Sequence, residues 1–185
     1  MDNASIILTA FDRHLDHEAR LIVFGRAAIQ LGYDAPPPET ARSLDVDGLI
    51  PEEEVEALVA DEGFWDAQVA TNDELRPLGL YITHLFQSNQ VFLRDDWLGN
   101  LVSITRPPLR FLRLFRPATL DLILTKMMRG DDAQDLEDIA FLIRHENVTR
   151  AQLEETFQRA GLPDVVELHD AFAKAKPLVL DLAGK

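Results

Sequence analysis

The sequence predicts a mixed α/β (α+β) fold, with a sheet of four or five strands, flanking helices and a helical C-terminal portion. Three observations carry this. Leu21-Ile22-Val23-Phe24 is a short apolar run ended by Gly25, the pattern of a buried strand followed by a turn. Residues 44 to 50 alternate, Leu44 and Val46 against Asp45 and Asp47, which gives a strand one apolar and one acidic face. After Pro117 the spacing turns helical, with Leu120, Ile123, Leu124, Met127 and Met128 on one stripe.

The elements follow in order. Residues 4 to 17 read as a helix behind an Asn3 cap, because Leu8, Phe11 and Leu15 recur at helical spacing. A short helix through Ala27 to Leu31 follows the first strand and stops at Gly32. Pro36, Pro37 and Pro38 remove three backbone donors, so residues 34 to 40 read as a stiff surface loop. Pro51 closes the acidic strand and opens a helix whose first turn holds Glu52, Glu53 and Glu54, running to about Asp61 before Gly63 breaks it. Leu80 to Phe86 and Gln90 to Leu93 read as a hairpin about Ser88-Asn89, with further strands at Leu101 to Ile104 and, at an edge, Leu109 to Phe115.

Behind Pro117, Gly130 ends the first helix. A second carries Leu136, Ile139, Ala140 and Ile143. A third starts at the Thr149 to Gln152 capping box, and a fourth at Asp164 with Glu167. The 185 residues suit one domain, 1 to 185, with a sheet-containing core at about 20 to 115 and the helical portion at about 117 to 185.

Composition narrows the function classes. Without cysteine there are no disulfides, no thiolate metal sites and no sulfur redox chemistry. The start of the chain has no basic leader, and no apolar run approaches the roughly 20 residues that cross a bilayer, so a cytoplasmic protein away from membranes is expected. A net charge of -14 opposes a broad nucleic-acid footprint.

The chemistry-bearing residues centre on Asp45 and Asp47. Two apart on a strand, they leave the same face with Cα atoms about 6.6 Å apart. Such a pair can converge on one Mg²⁺, which takes one or two carboxylates together with substrate phosphates; the plainer reading is a solvated strand face. Gly25, between a strand and a helix, presents backbone N–H groups and a positive helix end as a phosphate seat, beside which Arg26 offers a fork of donors. Later, Lys126 and Arg129 fall outside the apolar stripe of their helix, and Asp135 and Asp138 share a face away from Leu136, Ile139 and Ile143. Either Lys126 contacts phosphate, or the four form an interhelix salt-bridge cluster.

Strand, glycine turn, helix and Asp-x-Asp strand together resemble the nucleotidyltransferase superfamily. Lys126-Met127-Met128-Arg129-Gly130 followed by Asp135-Leu136-Glu137-Asp138 resembles the helix pair of AbiEii-like proteins, bacterial proteins of abortive-infection and toxin–antitoxin systems. The resemblance covers residues 20 to 145.

That resemblance implies a nucleotidyltransferase-like fold and a Mg²⁺-dependent transfer of a nucleotidyl group from a nucleoside triphosphate to a hydroxyl of a tRNA or protein. Asp45 and Asp47 would hold the metal, and Gly25, Arg26, Lys126 and Arg129 the nucleotide. Lys126 and Asp135 would join the catalytic set, Asp135 orienting Lys126 or Arg129. A toxin or antitoxin protein would be a partner. Active members add a third carboxylate from a later strand, whereas Leu80 to Phe86 offers only His84 as a metal-capable side chain, and Asp95 and Asp96 come after it. The rival reading is a catalytically inactive relative that serves as a binding or regulatory module.

Overall fold

The computed structural model describes residues 1 to 184. In order it contains α1 (Asn3–His14), β1 (Ala19–Phe24), α2 (Gly25–Gly32), β2 (Asp45–Ile50), α3 (Val55–Val59), α4 (Glu62–Leu75), β3 (Tyr81–Ile82), β4 (Phe86–Gln87), β5 (Leu93–Arg94), β6 (Val102–Ile104), β7 (Leu112–Arg116), α5 (Thr119–Lys126), α6 (Ala133–Glu146), α7 (Arg150–Gln158), β8 (Ala160–Gly161) and α8 (Val166–Leu182). The chain divides into two compact units. Met1–Gln87 with Leu101–Arg116 forms the first, and Ser88–Asn100 with Pro117–Lys185 the second.

The first unit holds a mixed six-stranded sheet with flanking helices, in the order β3-β2-β1-β7-β6, with β4 also pairing β2. β1 is central because its Leu21, Ile22 and Val23 are buried on both faces. It runs antiparallel to β2 and parallel to β7. Asp2, rather than Asn3, caps α1 by accepting from the Ser5 N–H at 2.8 Å. Phe11 of α1 and Phe64 of α4 meet edge to face, with ring centroids 5.1 Å apart. Gly63 does not interrupt α4; Asp61 caps that helix from before it, accepting from Phe64 N at 2.9 Å. The proline loop tightens from Pro38 to Arg42 into a 3₁₀ turn, since proline suits a first helical position.

The sequence hairpin after residue 80 is absent, and the strand count rises to six for the same reason. Tyr81 and Thr83 donate their amides to Leu44 and Val46 at 3.1 Å, so the segment pairs with β2. Its outward groups go to a side chain. Ile82 N donates to Asn72 Oδ1 at 2.8 Å, while Asn72 Nδ2 donates to Ile82 O at 3.0 Å. Gln68 Nε2 adds a bond to Thr83 O at 2.8 Å. With α4 occupying that edge, no hairpin partner is needed. The run 80 to 86 divides into β3 and β4, both parallel to β2, and β5 pairs instead with β8. β7 is likewise an interior strand, between β1 and β6, not an edge.

The second unit is helical apart from β5 and β8. Its core gathers Leu122, Ile123, Leu124, Met127, Ile139, Leu142 and Leu153. The Thr149–Gln152 capping box opens α7. At α8 the box is replaced by Val165, which makes no side-chain cap bond. Among the described residues no helix is long and apolar enough to cross a membrane.

Candidate functional site

Asp45 and Asp47 stand on β2, alternating with fully buried Val46, and both are half-buried. Leu44, expected on the apolar face, is exposed and precedes the strand. Each carboxylate has one oxygen engaged by a hydroxyl. Ser43 Oγ donates to Asp45 Oδ1 at 3.0 Å, and Thr83 Oγ1 donates to Asp47 Oδ1 at 2.9 Å. Ser43 shares strand parity with both aspartates, a signal the sequence carries. Thr83, just after β3, delivers a hydroxyl to Asp47.

Gly25 completes this wall. It opens α2 with φ at +64°, and a Cβ built on it would lie 3.2 Å from Asp47 Oδ2. Both facts favour glycine: the left-handed conformation is costly for other residues, and the close approach leaves little room for a side chain. β1 and β2 set this proximity through the pairing of Phe24 with Asp47. No side chain caps the first turn of α2, in which Arg26 lies half-buried. His84 is exposed and packs its ring 4.4 Å from that of Phe86, which meets Phe24 edge to face at 5.5 Å.

Compared with known proteins, the chain matches no family model, no curated protein and no solved structure. Among the described residues, no group of three or more His, Asp or Glu side chains is arranged to hold a metal.

Lys126, Arg129 and Asp135 belong to the second unit, where they form an ion cluster. Lys126 Nζ donates to Asp135 Oδ1 at 2.9 Å and to Asp138 Oδ2 at 2.7 Å. Lys126 is 8% exposed, Asp135 3% and Asp138 1%. Arg129 Nε donates to Asp135 Oδ2, so Asp135 joins both cations. Burial works against the ionised Asp135 carboxyl, yet Arg129 and Lys126 outweigh it and hold the group below the usual carboxylate range. Asp135 and Asp138 do not turn away from the apolar stripe of their helix. They lead the buried stripe of α6 with Ile139, Leu142 and Ile143, because the cations supply the compensation that burial demands.

Asp95 and Asp96 also lie in the second unit, where Arg159 Nη2 contacts them at 2.6 and 2.8 Å. Asp121, fully buried, accepts from Arg94 N at 2.9 Å, Nε at 3.1 Å and Nη2 at 2.7 Å.

Proposed function

We propose that the first unit binds the Mg²⁺ complex of a nucleoside triphosphate at Asp45 and Asp47. It would serve transfer of a nucleotidyl group to a macromolecular hydroxyl, as the nucleotidyltransferase resemblance implies. The observation that carries this is the approach of Gly25 to Asp47: a glycine-opened helix faces an acidic strand, pairing a phosphate seat with metal ligands. The donor set suits Mg²⁺, since it comprises two carboxylates on one strand face, and phosphate oxygens and water would complete an octahedron. When bound, the ion would offset charge on the phosphate oxygens.

Within this reading the chain's own groups have defined tasks. Ser43 and Thr83 fix the two carboxylates by donating to one oxygen of each. Gly25 keeps the backbone clear for phosphate, and Arg26 adds charge from the first turn of α2. The acceptor would be a tRNA or protein hydroxyl, and a toxin or antitoxin partner would fit the AbiEii-like resemblance.

A second reading, a binding module without turnover, is favoured by a specific observation. Lys126 is engaged by Asp135 and Asp138, and Asp95 and Asp96 by Arg159, which commits the other candidate catalytic charges elsewhere. Two measurements separate the readings. Thermal-shift titration with ATP, GTP, CTP and UTP, with and without Mg²⁺, tests binding. Incubation with α-phosphate-labelled nucleotide in a lysate tests transfer. Binding with labelling supports the transferase, binding without labelling supports a module that holds nucleotide without turnover, and no labelling with no response to any triphosphate ends the transferase reading and leaves the interaction module.

A further inference from the structure

Beside Asp47 the chain carries one residue more than its pairing needs. Ile82 stands opposite Val46 and Phe86 opposite Leu49, so the three residues 83 to 85 answer only Asp47 and Gly48. Thr83 takes Asp47 through the hydroxyl bond at 2.9 Å, and the Leu85 side chain covers Gly48 on the other face of the sheet. His84 is the residue left over. An inserted residue bends a strand and re-aims a side chain, a device common beside functional sites.

The side chain so re-aimed ends a row of rings. The His84 imidazole leans on Phe86 with centroids 4.4 Å apart and planes at 45°, and Phe86 meets Phe24 edge to face at 5.5 Å. Phe24 is in register with Asp47 and immediately precedes Gly25, so the row starts at the proposed phosphate seat and finishes on an exposed ring. The fold makes no polar use of that ring. Among the described residues its nitrogens bond to nothing, whereas His14 and His17 both hold carboxylates.

We propose that His84 is the stacking platform for the nucleobase of the bound triphosphate. This placement rests on the triphosphate reading above and adds to it where the base lies: with the phosphates at Gly25 and Asp47, the base covers the imidazole, which Phe86 backs. Stacking engages the π-face that every base has, so the platform takes purines and pyrimidines alike and reads none of their edges. Tyr81, another exposed ring on the aspartate side of the sheet, pairs with Asp45 and touches no other ring among the described residues, so it stands outside the row that begins at Phe24.

Isothermal titration calorimetry on the full chain provides the test, with Mg²⁺-ATP and Mg²⁺-UTP as ligands and Mg²⁺-tripolyphosphate as the ligand without a base. His84→Ala should weaken both nucleotides about tenfold and leave tripolyphosphate unchanged. His84→Phe, which keeps a ring and loses both nitrogens, should bind the nucleotides nearly as the wild type does. Nucleotide affinity indifferent to His84→Ala overturns the platform, and so does a loss that Tyr81→Ala produces in its place. An equal loss in the Ala and Phe variants would assign His84 to hydrogen bonding or metal ligation instead, and an equal loss for tripolyphosphate would assign it to the phosphates. Each of these results leaves triphosphate binding by the wild type intact and sinks the platform alone. No binding of nucleotide or tripolyphosphate by the wild type sinks the underlying reading and the platform with it.

Discussion

Thr83 donates its hydroxyl to Asp47 Oδ1 at 2.9 Å across the β2–β3 pairing. The bond restrains one oxygen of the Asp47 carboxylate, which in the proposed function would help hold a metal. Mg²⁺ should therefore raise the melting temperature of the wild-type protein, by up to about 2.7 kcal/mol of stability at a hundredfold excess over Kd. Asp45→Asn with Asp47→Asn should abolish the response, and Thr83→Val should weaken it by loosening Asp47. A double variant that responds to Mg²⁺ as the wild type does refutes the metal assignment.

Gly25→Ala meets two obstacles, a φ of +64° and the Asp47 carboxylate 3.2 Å from the new methyl. Left-handed backbone alone costs a non-glycine residue about 1–2 kcal/mol. Urea unfolding should show at least that loss, and Mg²⁺-triphosphate binding should fall further than stability does. An alanine variant as stable as the wild type would contradict the assigned backbone geometry.

Lys126→Met should destabilise by about 3–5 kcal/mol, because it removes a cation shared by two buried carboxylates. Adding Asp138→Leu should restore part of the loss by removing the stranded charge. The double-variant cycle, read by denaturant melts, distinguishes a structural lysine from a phosphate ligand. A stable Lys126→Met variant that has lost only nucleotide binding would reverse the conclusion.

For Asp12 burial raises the carboxyl pKa, yet three backbone donors and the nearby Arg113 charge outweigh it and leave the group below its ordinary value. A depressed folded pKa means that the contribution is fully present above the unfolded value, about 3.9, and is lost as pH falls through the folded one. Asp12→Asn should therefore cost about 2 kcal/mol at pH 7, where charge-assisted bonds to the backbone are lost. The gap between wild type and variant should narrow as pH falls from the unfolded value through the lower folded one. Urea midpoints across that range provide the measurement, and a gap independent of pH would count against the ionised group.

His17 works in the opposite sense. Hydrogen bonds to Asp16 at 2.7 Å and Asp61 at 2.9 Å raise its pKa. Its contribution is present below the unfolded value near 6.5 and disappears as pH rises through the folded one. NMR titration of the ring should give a value above the ordinary one, and Asp61→Asn should lower it. An unshifted titration would show that the ring does not hold both carboxylates in solution.

How far the sequence could be read varied with the range of the interaction. Alternation about Val46 placed Asp45 and Asp47 on one strand face, and the capping box at Thr149 located α7, since both signals lie within a few residues. The hairpin failed at Ile82, whose amide is satisfied by Asn72 from another element, a bond that no local pattern announces. An acid between Phe11 and Leu15 on an apolar stripe is a visible anomaly at Asp12, but its partners lie about a hundred residues away, beyond any local pattern. The helical wheel sets Asp135 and Asp138 on a face away from Leu136, Ile139 and Ile143, whereas the salt-bridge cluster with Lys126 and Arg129, the other reading of the same residues, makes their burial tolerable.

The bonds of Asn72 and Gln68 to the backbone of residues 82 and 83 close the sheet along β3. Strand addition beyond β3 would have to break side-chain bonds already made by α4, while beyond β6 it meets no such obstacle. Fibril-like stacking needs two open ends per molecule, one to receive and one to offer. An edge already filled by side chains offers no template, so along β3 strand pairing between molecules cannot begin and stacking through that stretch cannot propagate.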